Sequence, residues 1–263
     1  MMQKIALGKT GMLVSRIGLG TVKFGRNQGV RYPKEFQLPT DYEIQELLDC
    51  AQQLGVNLLD TAPAYGTSEE RLGRFIKQKR EDWILCTKVG EEFHEGESQF
   101  NFSPAAVRRS IERSLKRLNT DFLDIVLVHS NGDDEKIIEE DSVFVTLNKL
   151  KQAGMIRAFG MSTKTIEGGL MAVDQSDVVM VTYNPLQIEE QPVIAHAHRH
   201  NKGVMVKKAL ASGHIHKIST DDPIRAVMQF IFHEPGVSSV VVGTTSKTNL
   251  AYNVECASKA LVK

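Results

Sequence analysis

The chain is poor in cysteine: Cys50, Cys86 and Cys256 are the only three, and they stand far apart. That spacing excludes a disulfide framework and a cysteine metal motif, and it points to a reducing, cytoplasmic setting. An excess of either charge is also missing. Thirty-two Lys and Arg face thirty-two Asp and Glu, so no global field draws the chain to nucleic acid or to an anionic membrane surface. The opening MMQKIALGKTG has no apolar core of signal-peptide length, and no later run would span a bilayer. Exact repeats, low-complexity tracts and linker-like stretches are lacking, so residues 1–263 read as a single domain.

What remains is an ordinary globular composition, 41% hydrophobic and 24% charged, enough for a sizeable core. The most informative stretch is residues 56–73, VNLLDTAPAYGTSEERLG. Val56 to Leu59 is apolar but for Asn57 and too short for a helix, which suits a strand buried on both faces. Pro63 and Gly66 mark a loop, and Thr67 with Glu70 makes a capping box that opens a helix. Asp60 ends the strand and Tyr65 stands in the loop. In α/β folds chemistry gathers at such positions; a turn cap and a loop-packing ring are the plainer reading of the same two residues.

The pattern recurs. Short alternating runs around residues 8–11 predict a hairpin leading into an apolar strand at 17–21. Further strands are expected at 56–59, 83–88, 123–129, 156–161, 178–183, 204–207 and 239–242. Helices are expected between them, with start signals at Thr40–Glu43 and Ser103–Pro104. Helix-to-strand joints are short, whereas the strand-to-helix joints at 23–39, 91–102, 130–141 and 211–222 are long. Eight strand–helix units elaborated on one face argue for an α/β fold: a closed (β/α)8 TIM barrel with an N-terminal β-hairpin and a site at the carboxyl ends of its strands.

Asp60, Tyr65, Lys88 and His129 fall at the ends of three successive apolar strands. Alternation puts Lys88 on the face of Cys86 and Ile84, toward the barrel interior, where an unpaired ammonium would be too costly. Asp60 on the neighbouring strand is its natural partner. A buried Asp–Lys pair without further role would satisfy these constraints. So would Schiff-base chemistry on Lys88, as in lysine-dependent aldolases, with Tyr65 as proton donor.

DTAPAYGTSEERLG, TKVG, LVHS, IRAFGMS and VVGTTSKTNLAYN together resemble the bacterial-type aldo-keto reductase superfamily, from LGKTGMLVSRIGLGT to Asn253. The resemblance implies a catalytic tetrad of Asp60, Tyr65, Lys88 and His129, with Tyr65 as general acid toward a small aldehyde or ketone. It implies NADPH, less often NADH, as hydride donor, and cofactor contacts from Gly20, Thr21, Asp60, Ser162, Lys207, Gly243, Thr245 and Ser246. A lysine about 4 Å from the phenol should lower its pKa from about 10 by up to about three units. Thr163, Met180, Lys207 and Thr245 depart from the residues that often hold the carboxamide, nicotinamide and 2′-phosphate. The departures at Thr163, Met180 and Lys207 support the alternative of a cofactor-binding protein with little reductase activity. Lys207 is expected to meet a phosphate or a substrate charge, with Lys208 pointing to the opposite side of the strand.

No metal is implied. His196 and His200 share a helix face within HAHRH, but with no acidic third ligand expected nearby they read as a solvated face. His214 and His216 lie in the long loop after the seventh strand, and the aromatic-bearing loop at 24–36 is expected to shape the substrate pocket.

Overall fold

The apolar run before Asp60 becomes strand β4 (Leu58–Asp60), with all three residues buried. Leu58 faces one apolar cluster and Leu59 another, which is why the run shows no polar alternation. A computed structural model describes residues 2–30, 32, 33 and 35–261. Met1, Val262 and Lys263 of the expected domain, and Arg31 and Lys34 of the 24–36 loop, lie outside the described residues.

The chain opens with the hairpin β1 (Lys4–Ala6) and β2 (Leu13–Ser15), followed by β3 (Ile17–Gly20), α1 (Val22–Gly25) and α2 (Asp41–Gln53). After β4 come α3 (Ser68–Ile76), β5 (Ile84–Val89), the hairpin β6 (Glu91–His94) and β7 (Glu97–Phe100), α4 (Pro104–Leu118) and β8 (Leu123–His129). Next are α5 (Asp134–Glu139), α6 (Val143–Gln152), β9 (Ile156–Ser162), α7 (Ile166–Gln175) and β10 (Val178–Thr182). The last third holds α8 (Gln191–Arg199), β11 (Gly203–Lys207), α9 (Pro223–His233), β12 (Ser239–Gly243) and α10 (Lys247–Ala260). Eight strands close a parallel barrel in the order β3-β4-β5-β8-β9-β10-β11-β12, with β12 pairing back onto β3.

Alternation divides the core in two. Inward residues such as Leu58, Cys86, Leu127, Met180 and Met205 fill the barrel; Leu7, Met12 and Val14 of the hairpin join the same cluster. A Cβ on Gly203, the first residue of β11, would touch Leu7, so the hairpin seals the amino-terminal end. Outward residues pack beneath the helices together with Trp83, the sole tryptophan, which is buried just before β5.

Some local expectations fail for physical reasons. The Thr40–Glu43 capping box forms on an extended Thr40, but Thr67 has ψ 8 and makes no side-chain cap, and Glu70 pairs with Arg117 at 3.2 Å instead of turning back. Ser103 does not cap α4 either; its hydroxyl donates to Asn101 Oδ1 at 2.7 Å. The segments expected as plain loops at 91–102 and 130–141 carry the β6–β7 hairpin and α5. The hairpin turns at Glu95 and Gly96, both with positive φ, a two-residue reversal that suits twisted strands.

Candidate active site

The strand register builds the site. Asp60 lies opposite Gly20 of β3 and Cys86 of β5. Lys88, two residues beyond Cys86, shares its face and reaches across to Asp60 Oδ1 at 2.6 Å, with Thr61 O accepting a second bond at 2.9 Å. Lys88 is only 2% exposed, and the expected Asp–Lys pair is present. Tyr65 hangs from the loop after β4, its ring centre 4.9 Å from the Lys88 ammonium. The His129 ring meets it edge-on at 6.2 Å.

Backbone contacts hold that loop. Gly66 has φ +60, and a Cβ there would come within 2.1 Å of Gly25 O, while one on Gly25 would strike Tyr65 O and Ser68 N. Only glycine tolerates both approaches. Ser68, at the start of α3, donates to Thr21 O at 3.0 Å and meets the Thr21 and Thr61 hydroxyls at 2.8 and 3.0 Å.

Burial and charge oppose each other here. Burial pushes the Tyr65 pKa up to about 12, against the pull of Lys88. The expected depression is therefore overturned, because removing the phenolate from water outweighs the neighbouring ammonium. Burial opposes the charge on Lys88, yet Asp60 and Tyr65 hold its pKa above the ordinary lysine value. The ring of His129 falls below the usual histidine value, chiefly through burial, with Lys88 and Lys207 adding to it.

Glu91, the first residue of β6, was not singled out by sequence. Its Oε2 lies 2.6 Å from His129 Nδ1, although out of line for a hydrogen bond, since among the described residues that nitrogen has no geometrically satisfied partner. Burial would raise the Glu91 carboxyl, but His129, Ser98 and Arg26 hold it down at about 2. That depression draws partly on a charged imidazole, whereas His129 itself resists protonation. We assign the neutral ring, because burial and two lysines disfavour another cation there, while Ser98 Oγ at 2.5 Å and Arg26 at 3.9 Å still support the Glu91 carboxylate.

A cavity of about 250 Å³ opens at the carboxyl ends of the strands, lined by Asp60, Tyr65, Lys88 and His129 together with Ser162 and Lys207. Gly20, Thr21, Met180 and Gly243 also line it, whereas Thr245 and Ser246 lie beyond its wall. Ser246 caps α10 through Asn249 N. Thr163 turns away, its hydroxyl donating to Glu190 Oε1 at 2.7 Å. The Lys207 ammonium donates to Ser162 Oγ at 2.8 Å and to Thr163 O at 2.5 Å. Lys208 does not point to the far side of β11. The strand has ended, the residue takes a left-handed conformation with φ 54, and it lines the same cavity.

The residues suit a dinucleotide. Gly20 and Gly243 are register partners on adjoining strands, so the cavity lip there is bare backbone. The N-terminus of the 14-residue α10 follows at once, a setting that favours phosphate. Tyr32 of the 24–36 loop lines the cavity as expected, while Phe24 is buried in the core. His214 and His216 do not line it; Ser212 and Gly213 beside them do.

His196 is not without an acidic neighbour. Its Nε2 lies 2.7 Å from Asp174 Oδ1 of α7, and Asp174, His196 and His200 bring ligand atoms within 4.8 Å of one another. None of the three lines the cavity. Among the described residues no helix is long and apolar enough to cross a membrane.

A closed parallel barrel with its ionisable residues gathered at the carboxyl ends of the strands is an enzyme architecture. Residues 16–224 match the model of the Aldo/keto reductase family, and the chain belongs to that family of NAD(P)H-dependent oxidoreductases. It is 50% identical to a putative aldo-keto reductase from Pseudomonas aeruginosa, with a TM-score of 0.91 over 98% of this chain and 95% of that one. It is 26% identical to the uncharacterized oxidoreductase YqkF of Bacillus subtilis, over 97% of this chain and 91% of the relative. An NADH-specific methylglyoxal reductase of Escherichia coli is 33% identical over 60% of this chain and 51% of its own length.

Proposed function

We propose that the chain reduces a small aldehyde or ketone, with Tyr65 as the general acid. The observation that carries this reading is the convergence of Tyr65, His129 and the Asp60–Lys88 pair on one cavity. When bound, a nicotinamide dinucleotide supplies the hydride to the carbonyl carbon. The remaining work falls to side chains. His129, whose Nδ1 makes no in-line bond to Glu91 among the described residues, carries the single proton of its neutral ring on Nε2, donates it in a hydrogen bond to the carbonyl oxygen and fixes that oxygen's orientation. Tyr65, with a pKa near 12, is protonated at neutral pH and gives its proton to the developing alkoxide, which is the stronger base. Lys88 then stabilises the phenolate, and Asp60 keeps Lys88 charged and placed until solvent returns the proton.

NADPH is the family's usual donor, but NADH is a second reading with its own support. Thr245 offers no charge for a 2′-phosphate, and the Lys247 ammonium is taken by Glu46 at 2.8 Å. Calorimetric titration with NADPH and NADH, followed by a carbonyl panel with whichever binds, tests both. Cofactor binding without oxidation across the panel would leave a binding protein. Borohydride trapping of substrate on Lys88 without nicotinamide turnover would favour Schiff-base chemistry instead.

A further inference from the structure

We infer that Lys207 makes this cavity hold a reduced nicotinamide cofactor more tightly than the oxidised one, by discriminating the charge on the ring. The inference rests on the reductase reading above. Among the described residues Lys88, Lys164, Lys207 and Lys208 line the cavity with one carboxylate, Asp60, and Asp60 is committed to Lys88 at 2.6 Å. Lys207 differs from Lys88 in its partners. Both of its hydrogen bonds go to uncharged oxygens, on Ser162 and Thr163, and they keep the ammonium from swinging out to solvent. Burial lowers its pKa to about 8, with Glu190 opposing that fall and Lys208 adding to it, so it is mainly cationic at pH 7.

Hydride transfer requires the nicotinamide in van der Waals reach of the carbonyl carbon, whose oxygen lies at Tyr65 and His129. The charge of Lys207 already reaches that point, since it helps to lower the proton affinity of His129. The ring is neutral when reduced and carries one positive charge when oxidised; phosphates, riboses and adenine are the same in both forms. A fixed ammonium therefore leaves the reduced ring nearly untouched and repels the oxidised one. For unit charges about 6–10 Å apart at an effective dielectric near 20, the discrimination is roughly tenfold to hundredfold. With both forms in competition, the site then favours carbonyl reduction over alcohol oxidation.

Isothermal titration calorimetry with NADPH and NADP⁺, and with NADH and NAD⁺, tests this on the wild type and on Lys207→Met at pH 7. The oxidised-to-reduced ratio of dissociation constants should be tenfold or more in the wild type and fall at least tenfold in the variant. Lys207→Gln serves as a second neutral variant should the first fail to fold. The wild-type ratio should also fall between pH 7 and pH 9.5. Glu190, Lys208, Asp134 and Lys164 act on Lys207, and Asp60, Lys88 and His129 share its cavity; over that interval Lys88 stays protonated and His129 neutral. An unchanged ratio in the variants overturns the inference. Equal weakening of both redox forms also overturns it, because the lysine would then serve a phosphate common to both. If neither dinucleotide binds the wild type, the reductase reading itself fails.

Discussion

Two buried carboxylates occupy opposite ends of the same barrel wall. Asp124, near the amino-terminal end of β8, accepts from Arg80 at 2.6 Å, Arg157 at 2.9 Å and Leu85 N at 3.0 Å. Asp60, at the carboxyl end of β4, pairs with Lys88. Arg80 is nearly buried, but the Arg157 side chain is half exposed, so water reaches one side of the lower network. Lys88 is enclosed, beside the phenol that the proposed reaction deprotonates. Similar pairings thus serve different ends: the lower one ties strands together, and the upper one, on the proposed function, holds a charge ready for chemistry.

Substitutions can break that contrast. Lys88→Met should have the largest effect, abolishing carbonyl reduction and costing about 3–5 kcal/mol of stability, because Asp60 is left buried without its cation. A variant that melts like the wild type in denaturant titrations would show the pair to be uncoupled from stability. Tyr65→Phe should reduce turnover by about 10²–10⁴ while cofactor affinity stays within a few-fold; near-normal turnover would remove Tyr65 as the acid. Asp124→Asn should invert the pattern, losing about 1–3 kcal/mol of stability with kcat/KM unchanged. If activity fell with it, the two ends would not be separable.

The smallest effect concerns Glu91. Glu91→Gln should lower kcat about tenfold by loosening His129, less than the loss of an oxyanion donor itself. The carboxyl of Glu91 is held below its unfolded range of about 4.3. Its contribution to stability is therefore present above that range and is lost as the pH falls through the lowered folded value. The gap in Tm between wild type and variant should shrink from pH 6 to pH 3. A gap that widened on acidification would reverse the sign of this argument.

The barrel and the Asp60–Lys88 pair were legible in the sequence because strand alternation and the cost of burying an ammonium are local rules. Leu58 and Leu59 announced a strand covered on both faces, and Lys88 announced a partner. Glu91 was not legible: it reaches His129 only because a hairpin folds where a loop was expected, and its single Glu-Gly turn signal is weak. The proton affinity of Tyr65 was misjudged because desolvation depends on everything packed around the ring, which a pairwise charge argument omits. Lys208 was misplaced since strict alternation holds only while the strand lasts. Asp174 joined His196 through the packing of two separate helices, a contact that spacing within HAHRH could not reveal.

The position of Trp83 has an optical consequence. The only indole lies before β5, five residues upstream of Lys88, and at about 3.3 Å per strand residue that is some 16 Å from the chemistry. A substrate entering the mouth cannot touch it, so contact quenching is excluded. Its emission follows the integrity of the apolar packing around the barrel, and a shift to the red on heating marks the melting of that wall. The chromophore is a thermometer for the scaffold, at the end of the molecule remote from the reaction.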